Sequence, residues 1–173
     1  MSNDQAPGGR EQLTTWTDFR FDVRPATAED GPALQEFFTH VTPEDLRFRF
    51  LTGLNQVGRA MVDRLIQVDH QQSENFLAFD GDRLIGTAML AADADGNRAE
   101  VAVSLDKDYK GRGIGWCLLD HCARFAAAQG VTVLESVESR DNQAAISLER
   151  EMGFTAEPVQ GDSTLVLLRK KLG

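Results

Sequence analysis

Three glycines occupy alternate positions in the segment Lys110-Gly111-Arg112-Gly113-Ile114-Gly115-Trp116. An apolar stretch typical of a strand precedes this segment, and a long apolar stripe typical of a helix follows it. The first backbone N–H groups of a helix have no partner within the helix and carry partial positive charge, so they can bind a phosphate. Glycine lets the backbone approach a ligand closely, and Lys110 and Arg112 add positive charge. The segment therefore predicts an anion-binding loop.

The spacing of these glycines argues against two common nucleotide-binding loops. It is not G-x-G-x-x-G, and the strands predicted before it form a meander rather than the start of a βαβ unit, which disfavours a dinucleotide site. No Gly-Lys-Ser or Gly-Lys-Thr follows, which excludes a Walker-type loop. A tight turn without a ligand remains the alternative for the loop taken alone.

Composition and charge narrow the class of partner. The 173 residues are 42% hydrophobic and carry 27 acidic against 18 basic side chains, a net charge of −9. This balance argues against a nucleic-acid partner, which would need a basic face, and it favours cationic or amine substrates through long-range attraction. Excess acid also serves solubility. There is no apolar run of the roughly 20 residues that a bilayer span needs and no signal-peptide pattern at the start, so we expect a cytoplasmic protein without a membrane partner.

The cysteines and histidines do not suggest a metal site. On one helix, Cys117 and Cys122 would point about 140° apart, so they cannot form a disulfide and are expected to be core thiols. The histidines His40, His70 and His121 are scattered along the chain. We therefore expect no metal cofactor.

The elements around the glycine segment switch from strand-like to helix-like periodicity. Residues 1–15 are polar and predict a flexible N-terminal tail, followed by a single domain over 16–173. The predicted elements are strand 19–24, helices starting near Thr27 and Thr42 and spanning 56–68, strands 76–80, 83–90 and 100–105, helix 113–129, strand 131–137, helix 142–152, and paired strands 156–159 and 165–168. A strand, helix and strand around the glycines imply a parallel pair beside an antiparallel meander.

Two motifs in this order resemble the GNAT superfamily of N-acetyltransferases. Lys110–Gly115 resembles its pyrophosphate loop, Gln/Arg-x-x-Gly-x-Gly/Ala, although Lys110 keeps the charge without the fork geometry of arginine. Asn142–Leu148 with Met152-Gly153-Phe154 resembles its N-x-x-A…G-F helix, and the likeness covers about residues 21–168. It implies an α/β (α+β) fold, with a mixed, mostly antiparallel sheet, a central parallel strand pair and flanking helices.

The same resemblance implies acetyl-CoA as the co-substrate and a primary amine as the acceptor. The residues it implies for acetyl-CoA binding are Val103, Ser104, Leu105, Lys110, Gly111, Arg112, Gly113, Ile114, Gly115, Trp116 and Asn142. Asn142 also fits a helix N-cap on its own. A bulge in the strand before the loop is implied as well, with freed N–H groups that polarise the thioester carbonyl.

The segment Ala99-Glu100-Val101-Ala102-Val103 further resembles the GNAT domain of Pat-type bacterial protein lysine acetyltransferases. The stretches Val23–Pro25 and Thr42–Phe50 resemble the same group. This likeness implies Glu100 as the general base and protein lysine as an acceptor.

A catalytic role for Glu100 also has independent chemical support. An acceptor ammonium must lose a proton before its nitrogen attacks a thioester, and a carboxylate can take that proton directly or through water. Glu100 to Leu105 spans about 16 Å of strand, a suitable reach for a pantetheine arm. The alternative is a solvated surface charge, and Glu135 and Glu138 are second-choice bases.

The sequence leaves the general acid unassigned. Many GNAT enzymes carry a tyrosine on the Asn-containing helix, where this chain has Glu149, and the only tyrosine is Tyr109 in the glycine segment. Cys117 as an acyl-carrying nucleophile is disfavoured because cysteines on helix faces usually pack. Direct attack in a ternary complex is therefore expected.

Two other functions remain open. One is a small-molecule amine acetyltransferase, with an acceptor pocket built from residues 46–61 and the last strands. The other is a catalytically silent acyl-CoA-binding regulatory module. The resemblance is compatible with a monomer or a homodimer.

Overall fold

A computed structural model describes residues 9–50 and 58–172 of the chain. It contains eight strands and five α-helices among those residues, with short 3-10 turns at 28–30 and 107–109. The strands are β1 (Glu11–Thr14), β2 (Arg20–Pro25), β3 (Ser73–Asp80), β4 (Arg83–Ala92), β5 (Arg98–Leu105), β6 (Val133–Ser139), β7 (Thr155–Val159) and β8 (Asp162–Lys171). The helices are α1 (Gly31–Phe38), α2 (Pro43–Phe50), α3 (Arg59–Ile66), α4 (Ile114–Ala128) and α5 (Gln143–Glu151).

The strands form one mixed sheet in the order β1-β2-β3-β4-β5-β6-β8-β7. All neighbours are antiparallel except β5 and β6, which run parallel. The strand–helix–strand connection through α4 produces this pair, because a parallel neighbour requires a crossover. The predicted fold class, a mostly antiparallel sheet with one central parallel pair and flanking helices, is confirmed.

Side chains alternate across the sheet and divide the core in two. On β3, Phe76 and Ala78 pack with α4 and α5, whereas Leu77 and Phe79 face the helices α1–α3. This two-residue period is the one that a strand covered on both faces requires. The sheet is therefore held between two helical layers, which fix the positions of its central strand ends.

Glycines set the turns that bound the central elements. Gly81 has φ 61° in the β3–β4 hairpin, Gly113 has φ 87° at the N-cap of α4, and Gly130 has φ 88° after its end. Only glycine takes such angles without steric cost. The Asp-Gly hairpin and both limits of the long helix follow the predicted positions.

The structure differs from the sequence reading at several places. Glu11–Thr14, placed by sequence in the tail, pair with β2 as strand β1. The predicted helix 56–68 begins partly outside the described residues, and α3 covers Arg59–Ile66. The β4–β5 register runs without interruption from Gly86↔Leu105 to Ala92↔Ala99, so the expected bulge in β5 is wrong.

None of the helices described over 9–50 and 58–172 is both long enough and apolar enough to span a bilayer.

Candidate active site

A cleft opens where the parallel strands β5 and β6 separate. Their pairing ends at Glu100↔Glu135. Beyond that point β5 stays paired with β4 as far as Leu105, and β6 stays paired with β8 as far as Ser139. The two strands therefore diverge, and the edge of β5 that faces the gap has no strand partner within residues 9–50 and 58–172.

The cleft has a volume of about 660 Å³. Its walls come from β5, the glycine loop, the start of α4, the end of β6, α5 and one face of α2. The residues lining it are Trp16, Asp45, Phe48, Arg49, Ala102, Val103, Ser104, Leu105, Lys110, Gly111, Gly113, Gly115, Trp116, Leu119, Val137, Glu138, Asn142, Ala144, Ala145, Leu148, Glu149 and Glu151.

Most of the predicted acetyl-CoA residues meet in this one cleft. Those in its walls are Val103, Ser104, Leu105, Lys110, Gly111, Gly113, Gly115, Trp116 and Asn142. Ile114 is fully buried in the core. The guanidinium of Arg112 lies 4.7 Å from the ring centre of Tyr109 and donates to Asp108 O, outside the cleft walls. Ile114 and Arg112 could therefore contribute to the loop through their backbone groups.

The backbone conformation of the glycine loop allows a ligand to come close to its main-chain atoms. Gly111 and Gly113 have φ angles of 78° and 87°. The segment before β2 contacts the loop, because Thr17 Oγ1 donates a hydrogen bond to Arg112 O at 2.9 Å. Trp16 also packs closely against Gly113: a Cβ added at position 113 would lie 2.7 Å from Trp16 Nε1. The first N–H groups of α4 lie directly behind this turn, which is the arrangement that binds phosphate at helix starts.

A salt bridge joins the loop to α2 across the cleft. Lys110 Nζ lies 2.6 Å from Asp45 Oδ2, and both side chains are partly exposed. The cation predicted to assist a diphosphate is therefore held at the cleft mouth by an acid.

Glu100 is exposed at the last residue pair between β5 and β6. It lies beside the cleft rather than in its walls. Arg49 of α2 is in the walls, where burial lowers its pKa, and the charges of Glu100 and Glu138 oppose that shift. Arg49 thus stands near two carboxylates at the point where the strands part.

Two acidic side chains meet deeper in the cleft. Glu138 on β6 accepts hydrogen bonds from Ser136 Oγ at 2.7 Å and from Asn142 Nδ2 at 3.3 Å. Glu149 on α5 is only 5% exposed, and its Oε2 has no hydrogen-bond partner among the described residues. Burial, followed by the charge of Glu138, raises the pKa of Glu149 to about 9. Glu149 is therefore a neutral acid at pH 7.

Asn142 has two contacts that fix its position. Its side chain accepts from Ala145 N at the start of α5 and donates to Glu138. The predicted N-cap is confirmed, and the same side chain belongs to the cleft wall.

The other residues singled out in the sequence have structural roles. Tyr109 Oη donates to Asp80 Oδ2 at 2.8 Å, away from the cleft. Glu135 lies in salt bridges with Arg98 and Arg169. Burial raises the pKa values of the two cysteine thiols, Cys117 and Cys122, which are both buried. A thiol held protonated is a poor nucleophile, which agrees with the packing role expected of Cys117.

The cleft also contains Trp16, Asp45 and Arg49. Sequence reasoning missed Trp16 and Asp45, and it included Arg49 only within residues 46–61, as part of a possible acceptor pocket. All three come from segments before β3 and reach the cleft only through tertiary packing. The available signal was the alternation of arginine and phenylalanine over Arg47–Phe50, which gives α2 no continuous apolar face.

Within residues 9–50 and 58–172, no three histidine, cysteine or acidic side chains are grouped as a metal site would require.

The amino-acid sequence of the chain is similar to a known protein family. The sequence profile of the Acetyltransferase (GNAT) family matches residues 35–154. An acetyltransferase of Pseudomonas aeruginosa is 32% identical over 154 residues, which are 87% of this chain and 83% of the relative.

Solved structures share the fold. The GNAT domain of S. lividans PAT superposes with a TM-score of 0.88 at 23% identity, over 94% of this chain and 97% of that one. A paia N-acetyltransferase from Thermoplasma acidophilum, in complex with coenzyme A, gives a TM-score of 0.71 at 20% identity, over 87% and 98%. The family match spans the four central strands β3–β6, the glycine loop and α5, and so the chain belongs to the acetyltransferase (GNAT) family and is an N-acetyltransferase.

Proposed function

We propose that this chain binds acetyl-CoA in the cleft between β5 and β6 and transfers the acetyl group directly to a primary amine. The observation that carries the proposal is the separation of these two strands beyond Glu100↔Glu135, immediately beside the glycine loop. A strand edge without a partner can bind an extended amide-bearing arm through its backbone. The turn at the other end of that edge offers N–H groups to a diphosphate.

In this proposal the diphosphate binds the amides between Gly111 and Trp116, with Lys110 adding charge. The pantetheine arm runs along residues 103–105, and Asn142 contacts it from the opposite wall. The N–H groups for the thioester carbonyl come from the unpaired edge of β5 rather than from a bulge, because the β4–β5 register is regular. The coenzyme A complex of the paia N-acetyltransferase, a fold relative, supports the cofactor assignment.

Glu100 is the proposed general base. It stands exposed at the fork of the two strands, where an amine from solvent can reach the thioester. Its carboxylate takes the ammonium proton through water, and the freed nitrogen attacks the acyl carbon. Arg49 lines the cleft and interacts through its charge with both Glu100 and Glu138.

The proposed acceptor is a lysine side chain of a protein. The exposed position of Glu100 favours an acceptor that approaches from outside, and the similarity to the GNAT domain of S. lividans PAT in fold agrees with it. A lysine ammonium that approaches the exposed end of the fork would meet the carboxylate of Glu100.

Acetyl transfer to a panel of amines tests the proposal. The purified chain is incubated with acetyl-CoA and either lysine-containing proteins, lysine peptides, polyamines, amino acids or aminoglycosides. Free thiol reports turnover, and mass spectrometry locates the new acetyl group. Acetyl-lysine formed only on protein supports the proposed acceptor, and turnover with a free amine alone replaces it by a small-molecule substrate. Binding of acetyl-CoA without transfer to any member supports a silent acyl-CoA-binding module and overturns the proposed reaction.

A further inference from the structure

We propose that Trp16 and Trp116 bind the adenine ring of coenzyme A by stacking, and thereby make a thioester that carries the nucleotide the preferred acyl donor. This inference deepens the proposed function and rests on it, because the adenine reaches these side chains only if the diphosphate binds the glycine loop.

Both tryptophans of the chain lie beside the glycine loop. The sequence has two, and both side chains line the cleft. Trp16 is 80% exposed and Trp116 is 40% exposed, and among the described residues they are the large hydrophobic side chains left open to solvent. A single exposed hydrophobic residue is ordinary. Two tryptophans exposed in the wall of the same cleft indicate a surface that a ligand covers.

The position of Trp16 is set by the glycine loop. Its indole packs against Gly113, the N-cap of α4, where an added Cβ would lie 2.7 Å from Trp16 Nε1. The next residue, Thr17, donates from its Oγ1 to Arg112 O at 2.9 Å. The indole therefore lies at the turn that is proposed to bind the diphosphate.

The turn that carries Trp16 is held by its own hydrogen bonds. Thr15 N donates to Phe19 O at 2.8 Å, Phe19 N donates to Thr15 Oγ1 at 3.1 Å, and Asp18 N donates to Thr15 O at 2.9 Å. The guanidinium of Arg112 lies 5.4 Å from the ring centre of Phe19. Because these contacts fix the backbone on both sides of the exposed ring, little further ordering is needed when a ligand binds to it.

Trp116 stands on the helix that begins at the same turn. It is the third residue of α4, so its backbone lies within one helical turn of Gly113. The two tryptophans thus belong to segments that meet at Gly113, although they are 100 positions apart in the sequence.

The covalent structure of coenzyme A determines which of its parts reaches these rings. The diphosphate joins the pantetheine arm on one side to a ribose carrying adenine on the other. In the proposed complex the pantetheine arm runs from the loop along residues 103–105, and so the adenosine leaves the loop in the other direction. Adenine is the flat aromatic group of the molecule, and bases stack readily on the rings of aromatic side chains.

Charge alone would bind coenzyme A weakly in this cleft. Lys110 is paired with Asp45, and Arg49 interacts with the charges of Glu100 and Glu138. The net charge of −9 has the same sign as the phosphates of coenzyme A. Stacking of a neutral base does not depend on charge, so it offsets this repulsion.

Coenzyme A and 4′-phosphopantetheine distinguish adenine stacking from any other role of the tryptophans. The second ligand keeps the pantetheine arm and one phosphate but lacks adenosine. Loss of one base–aromatic stack weakens binding by about 5- to 150-fold. We expect the coenzyme A affinity of Trp16→Ala and of Trp116→Ala to fall by such a factor in calorimetric titrations, while the affinity of each for 4′-phosphopantetheine matches that of the unchanged chain. Trp16→Phe and Trp116→Phe, which keep an aromatic ring, should retain most of the coenzyme A affinity.

Tryptophan fluorescence gives a second measurement. Because the chain has two tryptophans, Trp16→Phe reports on Trp116 alone, and Trp116→Phe reports on Trp16 alone. An adenine stacked on an indole quenches its emission. We expect coenzyme A to quench the remaining tryptophan in each variant and 4′-phosphopantetheine to leave the emission unchanged. If an alanine variant does not fold, as judged by circular dichroism, these two phenylalanine variants decide.

Each outcome has a definite meaning. An alanine variant that keeps the coenzyme A affinity of the unchanged chain, or that loses affinity equally for both ligands, overturns the assignment of that tryptophan while the proposed function stands. Emission that coenzyme A does not alter in either phenylalanine variant overturns the whole inference. If the unchanged chain does not bind coenzyme A, the proposed function and this inference fail together.

Discussion

Lys110 Nζ lies 2.6 Å from Asp45 Oδ2 and joins the glycine loop to α2 across the mouth of the cleft. In the proposed complex the diphosphate and Asp45 would compete for the same ammonium group. In the free protein this salt bridge joins the loop to α2.

Removing the competing acid should strengthen cofactor binding. In Asp45→Asn, Lys110 loses its partner and the diphosphate no longer meets a nearby negative charge. Partly exposed ion pairs are worth about 0.2–1 kcal/mol, so we expect coenzyme A affinity to rise by up to about fivefold. Calorimetric titration at low salt measures this. The control is Glu44→Gln, which removes an exposed charge one residue away; an equal gain in both variants would attribute the effect to net charge instead.

The backbone at Gly113 should accept a side chain less readily than the backbone at Gly111. Alanine there is strained at φ 87° and places its Cβ 2.7 Å from Trp16 Nε1. Gly111→Ala shares the positive φ, at 78°, but meets no atom within 4 Å. We expect about 1–2 kcal/mol of destabilisation in Gly111→Ala from strain alone, and more in Gly113→Ala, measured by urea unfolding. Adding Trp16→Ala should recover part of the difference, and equal losses in both glycine variants would argue against the contact.

Glu149 should make the protein less stable as pH rises. Its folded pKa of about 9 lies above the usual value for a glutamate, 4.5, so the folded state binds more protons between those values. The free energy of unfolding therefore falls as pH increases through that window. Glu149→Gln removes this loss, and its Tm should exceed that of the unchanged chain at pH 8 by a margin that disappears towards pH 4.5. A constant Tm difference across pH would mean that Glu149 does not hold a proton in the folded state.

Loss of the proposed base should slow the reaction without weakening cofactor binding. Glu100→Gln cannot accept the ammonium proton, so we expect kcat to fall by at least about 10²-fold while the acetyl-CoA affinity stays the same. Steady-state kinetics at saturating acceptor, with calorimetry for the cofactor, measures both. The exposed Glu36 of α1 supplies the matched glutamine control. Near-wild-type turnover in Glu100→Gln would remove it from the mechanism.

The sequence predicts the secondary-structure elements around the site better than the side-chain contacts within it. Gly113 and Gly130 mark the ends of α4 because positive φ angles are a local property of glycine. Strand β1 escapes sequence reading because Glu11–Thr14 are short and mostly polar and gain their structure from pairing with β2. In such an edge strand, tertiary pairing outweighs local propensity.

The contact between Glu138 and Glu149 inside the cleft could not be predicted from the sequence either. Glu149 falls on a helix that also carries exposed charges, and the sequence alone does not reveal that α5 turns it towards β6. Its neutral form depends on burial and on Glu138, which lies eleven residues earlier in the chain. The contact between Lys110 and Asp45 is likewise set by packing between distant segments.

The central claim is that the amides between Gly111 and Trp116 bind a diphosphate, and calorimetry with coenzyme A fragments tests it most directly. Coenzyme A and its 3′-dephospho form carry the diphosphate, whereas pantetheine lacks it. Several hydrogen bonds to a charged group are worth about 1.5–3 kcal/mol each, so pantetheine should bind at least about 100-fold more weakly than the other two. Equal affinity for pantetheine and coenzyme A, or no heat with coenzyme A, would contradict the account.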